Sequence, residues 1–341
     1  MKSKRVLIIK TGFSEFLDRG ISTTVSLGDV LTCTTILHLY KNDEVTWVTA
    51  WAARQLLKDN PYITELLIFG PQAFEKIAGK SYDILINLEK DIGICTFLRR
   101  VRAKKRYGFY FNERIHDIAT HNNATRYLLS GQENHKNIDK TFLEILFETV
   151  GEKWQGQGYV LSRRKKSREK YDIGFNYSVG SKWPTKAWPL ARWEELEKLL
   201  QNKYSLSWQQ GHKNLFKYIE WIDRCRVIVT SDSLGQAIAA ALGKKVIVLY
   251  GPTNFRRMQG IHNLTVIPSE LACPMMPCYL PICKFDRFCM DYILPEKVAL
   301  KCEELLSSSL VIRGSCLVRR VTDDERRATI RSAESFECEM S

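Results

Sequence analysis

Nine short apolar, β-branched runs recur along the chain with stretches of helical character between them, and this alternation restricts the fold more than any other feature. Arg5 to Lys10 (RVLIIK) shows no polar alternation, the pattern of a strand covered on both faces of a parallel sheet. Runs of the same kind follow at Val45 to Thr49, Leu66 to Phe69 and Asp83 to Leu88. Asn137 to Val150 then reads as an amphipathic helix, with Ile138, Phe142, Ile145 and Leu146 on one face and Gly151 as its stop. A second series occupies Asp172 to Asn176, Tyr204 to Trp208, Arg226 to Thr230, Lys245 to Leu249 and Leu264 to Ile267. The expected fold class is α/β, with two doubly wound, Rossmann-like domains in tandem at residues 1–160 and 161–306. Pro295 opens a closing helix to about Leu306, and the tail 307–341 is expected to be poorly ordered or weakly docked.

Charge narrows the partners. The formal net charge of +13 favours anionic ones: nucleotides, phosphorylated sugars, nucleic acid or an acidic membrane surface. Part of the excess sits in two runs, Arg99 to Arg106 and Arg163 to Lys170. Taken alone they read as a solvated helix end and a solvated linker; a docking surface for an anionic acceptor is the sharper alternative. The most apolar segment, Ala237 to Tyr250, is interrupted by Lys244 and Lys245, and the first residues lack the pattern of a cleaved leader. A reducing cytoplasm is therefore expected, where ten cysteines serve as thiols or metal ligands rather than disulfides.

Open parallel sheets bind ligands at the carboxyl ends of their strands, and four such loops carry unusual chemistry. After the first strand comes Val25-Ser26-Leu27-Gly28-Asp29-Val30, where Asp29 reads either as a helix cap or as a carboxylate able to take a proton from a hydroxyl. Ser178 to Pro189 offers Gly180 for close backbone approach, Ser181 as a hydroxyl, and Lys182 and Lys186 as charge suited to a diphosphate. Thr230 to Gly235, with Asp232, Ser233 and Gly235, enters a small-residue helix and suits phosphate and ribose hydroxyls. Gly251-Pro252-Thr253 closes the strand KVIVLY. A nicotinamide enzyme would need a G-x-G-x-x-G turn after the first strand, which Lys10-Thr11-Gly12-Phe13 does not supply. A nucleic-acid-binding protein would use the basic runs and the cysteines, but polar loops at strand ends suit small anionic ligands better.

At these residues the chain resembles glycosyltransferase family 9, the lipopolysaccharide heptosyltransferase family. The stretches are KTG followed by SLGDVLTCTTIL, GSKWPTKAWPLARWEEL, VTSDSLGQAIAAALGKKVIVLYGPT, and CPMMPCYLPICKFDRFCM before a closing helix. The resemblance implies a GT-B architecture: an N-terminal acceptor domain facing a C-terminal domain that holds a nucleotide-sugar donor, with the active site in the cleft between them. It makes Asp29 the general base, Lys186 the diphosphate lysine, and Asp232 and Ser233 the opening of the donor loop. Two departures stand out. Relatives carry a histidine five residues after that aspartate where this chain has Ala237, and an insertion, Phe13 to Val25, brings Glu15 and Asp18 toward the cleft as acceptor contacts or an alternative base.

The implied reaction is inverting transfer of a sugar, expected to be heptose from an ADP-heptose-type donor, to a hydroxyl of a lipopolysaccharide-type saccharide, a protein or a small molecule. It needs no catalytic cofactor or metal. The other enzyme reading is a nucleotide-sugar-modifying Rossmann enzyme. Such a transferase would work in the cytoplasm, with peripheral attachment at the inner membrane face as an option. Cys273, Cys278, Cys283 and Cys289 lie close enough in sequence to surround one tetrahedral ion, and cysteine-rich relatives that hold iron make a structural iron or zinc the expectation.

Overall fold

The apolar runs become the strands of two sheets in a computed structural model that describes residues 3–15, 22–129, 139–162, 166–180, 183–209, 214–258 and 260–314. The first sheet contains β1 (Arg5–Ile9), β2 (Glu44–Thr49), β3 (Glu65–Ile68), β4 (Ser81–Asn87), β5 (Arg102–Asn112) and β6 (Asp117–Thr120), in the order β3-β2-β1-β4-β5-β6. Its neighbours run parallel except β5 and β6. The second sheet is parallel throughout, with β7 (Tyr171–Asn176), β8 (Leu206–Trp208), β9 (Cys225–Ser231), β10 (Lys245–Tyr250) and β11 (Leu264–Pro268) in the order β11-β10-β9-β7-β8. Both are doubly wound orders, with topological switch points between β1 and β4 and between β7 and β9. Val6 to Ile9 are fully buried, as a strand covered on both faces requires.

Three elements depart from the sequence reading. The basic run 99–106 begins as an exposed helix end, directly after the helix Ile92–Leu98, but continues as a strand: Arg102 to Gly108 pair with β4. Lys104 reaches Asp83 at 2.7 Å, and Arg106 donates to the carbonyls of Leu98 and Val101, so its charge meets the carboxyl end of the helix Ile92–Leu98. The helix expected from Asn137 begins at Phe142 and ends at Thr149, and residues 130–138 lie outside the described part. A reciprocal cap explains the start: Thr141 Oγ1 accepts the Glu144 N–H, and the Glu144 carboxylate accepts the Thr141 N–H at 2.7 Å. The closing helix runs from Pro295 to Gly314 rather than stopping about Leu306, because no proline or glycine interrupts residues 307–313. The expected tail beyond Gly314 lies outside the described residues.

Packing joins the two sheet units. One hydrophobic cluster includes Leu31 and Ile36 of the first with Ile219, Ile238 and Tyr250 of the second. The connecting segment is pinned to the first unit: the Val160 N–H donates to Thr34 Oγ1, Asn60 Nδ2 to the Val160 carbonyl, and the Ser162 N–H to the Leu56 carbonyl. These contacts set the carboxyl ends of both sheets around a shared cleft.

Candidate active site

At the first switch point the chain fills its own crevice. Glu89, just past β4 and fully buried, accepts the N–H groups of Thr11 and Gly12 on Oε1, at 2.9 Å each. Its Oε2 accepts the Ser14 N–H at 3.1 Å and the Ser14 hydroxyl at 2.7 Å. Lys10, also fully buried, lies 3.3 Å from Glu89 and donates to the Ser14 carbonyl. Burial alone would lower the Lys10 pKa, but the charge of Glu89, aided by Cys33 and Asp29, outweighs it and the pKa is raised. The loop N–H groups that hold a pyrophosphate in a dinucleotide-binding domain are thus already occupied by a carboxylate. Glu89 went unmarked in the sequence because its partners are 75–78 residues away.

The four loops singled out in the sequence meet at a cleft of about 380 Å³. Asp29 enters from the first turn of the helix Leu27–Cys33 and lines it; Ser26, not Asp29, is the N-cap residue. Glu15 is nearly buried and accepts the Trp183 indole N–H at 3.2 Å, a hydrogen bond from the second unit to the first. Lys186 Nζ stands 5.7 Å from the centre of the same Trp183 ring and 2.9 Å from Asp232 Oδ2. Thr253 Oγ1 donates to that Asp232 oxygen at 2.9 Å. Glu15, Trp183, Lys186, Asp232 and Thr253 therefore form one polar chain across the cleft. A larger groove of about 600 Å³, lined by His38, Tyr62, Tyr159 and Phe216 among others, receives none of these loops, so size does not identify the site.

The other expected site residues divide. Gly180 and Ser233 line the cleft, and Ser233 also caps the helix Leu234–Ala241 by accepting the Gly235 N–H. Gly235 and Gly251 face protein instead. A Cβ on Gly235 would come within 2.3 Å of Asn176 Nδ2 and 2.5 Å of the Tyr218 oxygen, and one on Gly251 within 2.5 Å of Met290 Sδ and 2.7 Å of Cys289 Sγ. Both glycines serve close packing that holds the loops. Ser181, Lys182 and Asp18 lie outside the described residues. Ala237 lines the cleft where relatives were expected to place histidine. Sequence reasoning missed Arg257, Gln236 and Tyr279, which also line it; Arg257 was legible only as a basic residue just past the Gly-Pro-Thr loop.

Cys273, Cys278, Cys283 and Cys289 border one small cavity of about 20 Å³ beside Pro252. The Cys289 thiol is pushed up to about 12, first by burial and then by the other three cysteines. Among the described residues, however, no three His, Cys, Asp or Glu side chains form a group able to hold a metal ion. The expected four-thiolate centre is therefore not assembled in this arrangement: the thiols converge on a cavity without reaching ligating positions. The Tyr279 N–H donates to the Pro252 carbonyl at 3.0 Å, which fixes the cysteine loop against the Gly-Pro-Thr loop.

Comparison with known proteins bears on this geometry. The sequence profile of glycosyltransferase family 9 (heptosyltransferase) matches residues 72–214 and 210–287. The chain is similar to lipooligosaccharide heptosyltransferase 2 of Campylobacter jejuni, 31% identical over 88 residues, which is 25% of this chain and only 27% of that protein's length. Among solved structures, the ADP-heptose lipopolysaccharide heptosyltransferase II of E. coli superposes with a TM-score of 0.62 at 18% identity, covering 89% of this chain and 99% of that one. The dodecameric, iron-containing heptosyltransferase TibC, in complex with ADP-D-β-D-heptose, gives a TM-score of 0.54 at 12% identity over 90% of this chain and 77% of that one. These likenesses support two Rossmann-like domains in a GT-B arrangement.

Proposed function

The chain belongs to glycosyltransferase family 9, and we propose that it transfers a heptose from an ADP-heptose-type donor to a hydroxyl acceptor with inversion at the anomeric carbon. One observation carries this reading: Asp29, Lys186, Asp232 and Thr253 meet on a single cleft, while the phosphate place of the first sheet is closed by Glu89. The donor diphosphate is then left to the second unit, and the acceptor to the first. The corresponding division is residues 1–160 for acceptor, 161–306 for donor and 307–341 as an appended tail. Gly180, Ser233 and Thr253 would contact the donor directly, with Ser181 and Lys182 on the same loop. Glu15 and Asp18 would border the acceptor.

In the proposed step Asp29 takes the proton of the acceptor hydroxyl as its oxygen bonds to the anomeric carbon, and the bond from that carbon to the diphosphate oxygen breaks. Lys186 leaves its pairing with Asp232 to meet charge building on the diphosphate, so the chain supplies positive charge without a catalytic metal. The acceptor belongs to the lipopolysaccharide-saccharide, protein or small-molecule class. Among the described residues no helix is long and apolar enough to cross a membrane; work in the cytoplasm, with peripheral attachment at the inner membrane face, is part of the proposal. A structural iron or zinc belongs to it too: four thiols are the donor set such ions prefer, and Cys273, Cys278, Cys283 and Cys289, which border one cavity, would have to draw together to hold it.

The test is calorimetric titration of the purified protein with ADP-heptose and with UDP- and GDP-sugars, followed by product analysis. Binding of ADP-heptose and release of ADP with a glycoside of opposite anomeric configuration is the expected outcome. Conversion of the nucleotide sugar without release of ADP would instead favour a nucleotide-sugar-modifying enzyme.

A further inference from the structure

Arg257 occupies the short turn Phe255–Met258 that follows the Gly251-Pro252-Thr253 loop, and it lines the cleft while only 5% exposed. Among the described residues neither of its terminal nitrogens has a hydrogen-bond partner. Its guanidinium carbon sits 5.7 Å from the centre of the Phe142 ring, which the first unit contributes. Burial lowers its pKa from the ordinary arginine value while Tyr279 and Asp29 oppose that, and the group keeps its charge at neutral pH. A buried cation whose donors meet no acceptor is costly to the folded chain. Gln236 repeats the pattern nearby: it is 2% exposed, its Oε1 accepts the Tyr250 hydroxyl, and its Nε2 has no partner among the described residues.

We propose that Arg257 is a substrate-binding residue that pairs with an oxyanion, a phosphate or a carboxylate, carried by one of the two substrates. This rests on reading the cleft as the site of transfer. Lys186 must first give up Asp232 to meet an anion, whereas among the described residues the Arg257 terminal nitrogens have no partner to give up. The oxyanion has two sources, the donor diphosphate and an acidic group on the acceptor. Asp29, the proposed base, lines the same cleft as Arg257.

The experiment uses the full chain and Arg257→Met, which keeps the apolar stem and removes the charge, with Arg257→Lys as the conservative variant. ADP is titrated into each protein by calorimetry, and inorganic phosphate is then titrated into the ADP-saturated protein. The Met variant should melt at the same temperature as the wild type or higher, since an unpaired buried charge has gone. It should also lose about tenfold or more in one of the two affinities, with Lys restoring part of it. A loss in ADP affinity assigns the oxyanion to the donor; unchanged ADP affinity with a loss for phosphate assigns it to the acceptor. If neither affinity changes, or the variant only melts lower, the proposal is overturned. Wild-type protein that binds no ADP would instead remove the nucleotide-sugar reading, and phosphate titrated into the ligand-free proteins would still decide the role of Arg257.

Discussion

Glu89→Gln keeps the shape of the buried side chain and removes its charge, so it tests whether the first switch point is held by a carboxylate. In the wild type, four donors from Thr11, Gly12 and Ser14 converge on the two oxygens, with Lys10 beside them. An amide oxygen can keep the Thr11 and Gly12 bonds. Its NH2 would confront the Ser14 N–H donor to donor, and would keep the Ser14 hydroxyl only by reversing that bond into a neutral one on the lone pair that the Lys90 N–H leaves open. The substitution therefore removes two charge-assisted hydrogen bonds and leaves the Lys10 ammonium without its close counter-charge. Breaking a buried ion pair in this one-sided way costs about 3–5 kcal/mol. At about 2–4 °C per kcal/mol for a domain of this size, the melting temperature should fall by roughly 10 °C. Urea denaturation followed by far-ultraviolet circular dichroism measures the loss, and Lys10→Met/Glu89→Gln should recover part of it by removing the stranded ammonium. A Glu89→Gln protein within about 1 kcal/mol of wild type, or a double variant worse than the sum of the singles, would refute the account.

Asp29→Asn should lower transfer by about 100-fold or more with ADP affinity retained, because a proton acceptor is lost without change of shape; normal turnover would move the base to Glu15. Lys186→Ala should cost about 2–4 kcal/mol in donor binding or turnover, as read from ADP calorimetry and kcat/KM, and no change in either would confine Lys186 to its ion pair with Asp232. Gly235→Ala should destabilise by about 1–3 kcal/mol, since the new methyl meets Asn176, which itself donates to Thr230 and Ser233 and accepts from Tyr218; an unchanged urea midpoint would contradict the close packing. Elemental analysis of protein purified without chelator should find about one iron or zinc per chain, and metal-free protein with four rapidly alkylated thiols would end the metal proposal.

How much of this was legible in the chain follows from the range of the interactions involved. Strands buried on both faces carry their signal locally, so RVLIIK, RVIVT and KVIVLY announced parallel sheets before any contact was known. The four loops were legible for the same reason, because each follows such a strand directly and a parallel sheet gathers its carboxyl ends on one side. β5 was hidden because a half-buried strand beside the antiparallel edge keeps its lysines and arginines in water, and charge masks its period. Glu89 and its loop, Trp183 and Glu15, and Arg257 and Phe142 lie 75 to 168 residues apart; the first pair meets because β1 and β4 are neighbours in one sheet, and the other two because one sheet unit docks on the other. Gly235 and Gly251 pack against Asn176, Tyr218, Met290 and Cys289 of their own unit, neighbours that are likewise distant in sequence. Local pattern set the elements and the order of the loops, whereas the ion pairs and stranded donors that give the cleft its chemistry arise only where distant segments exclude water together.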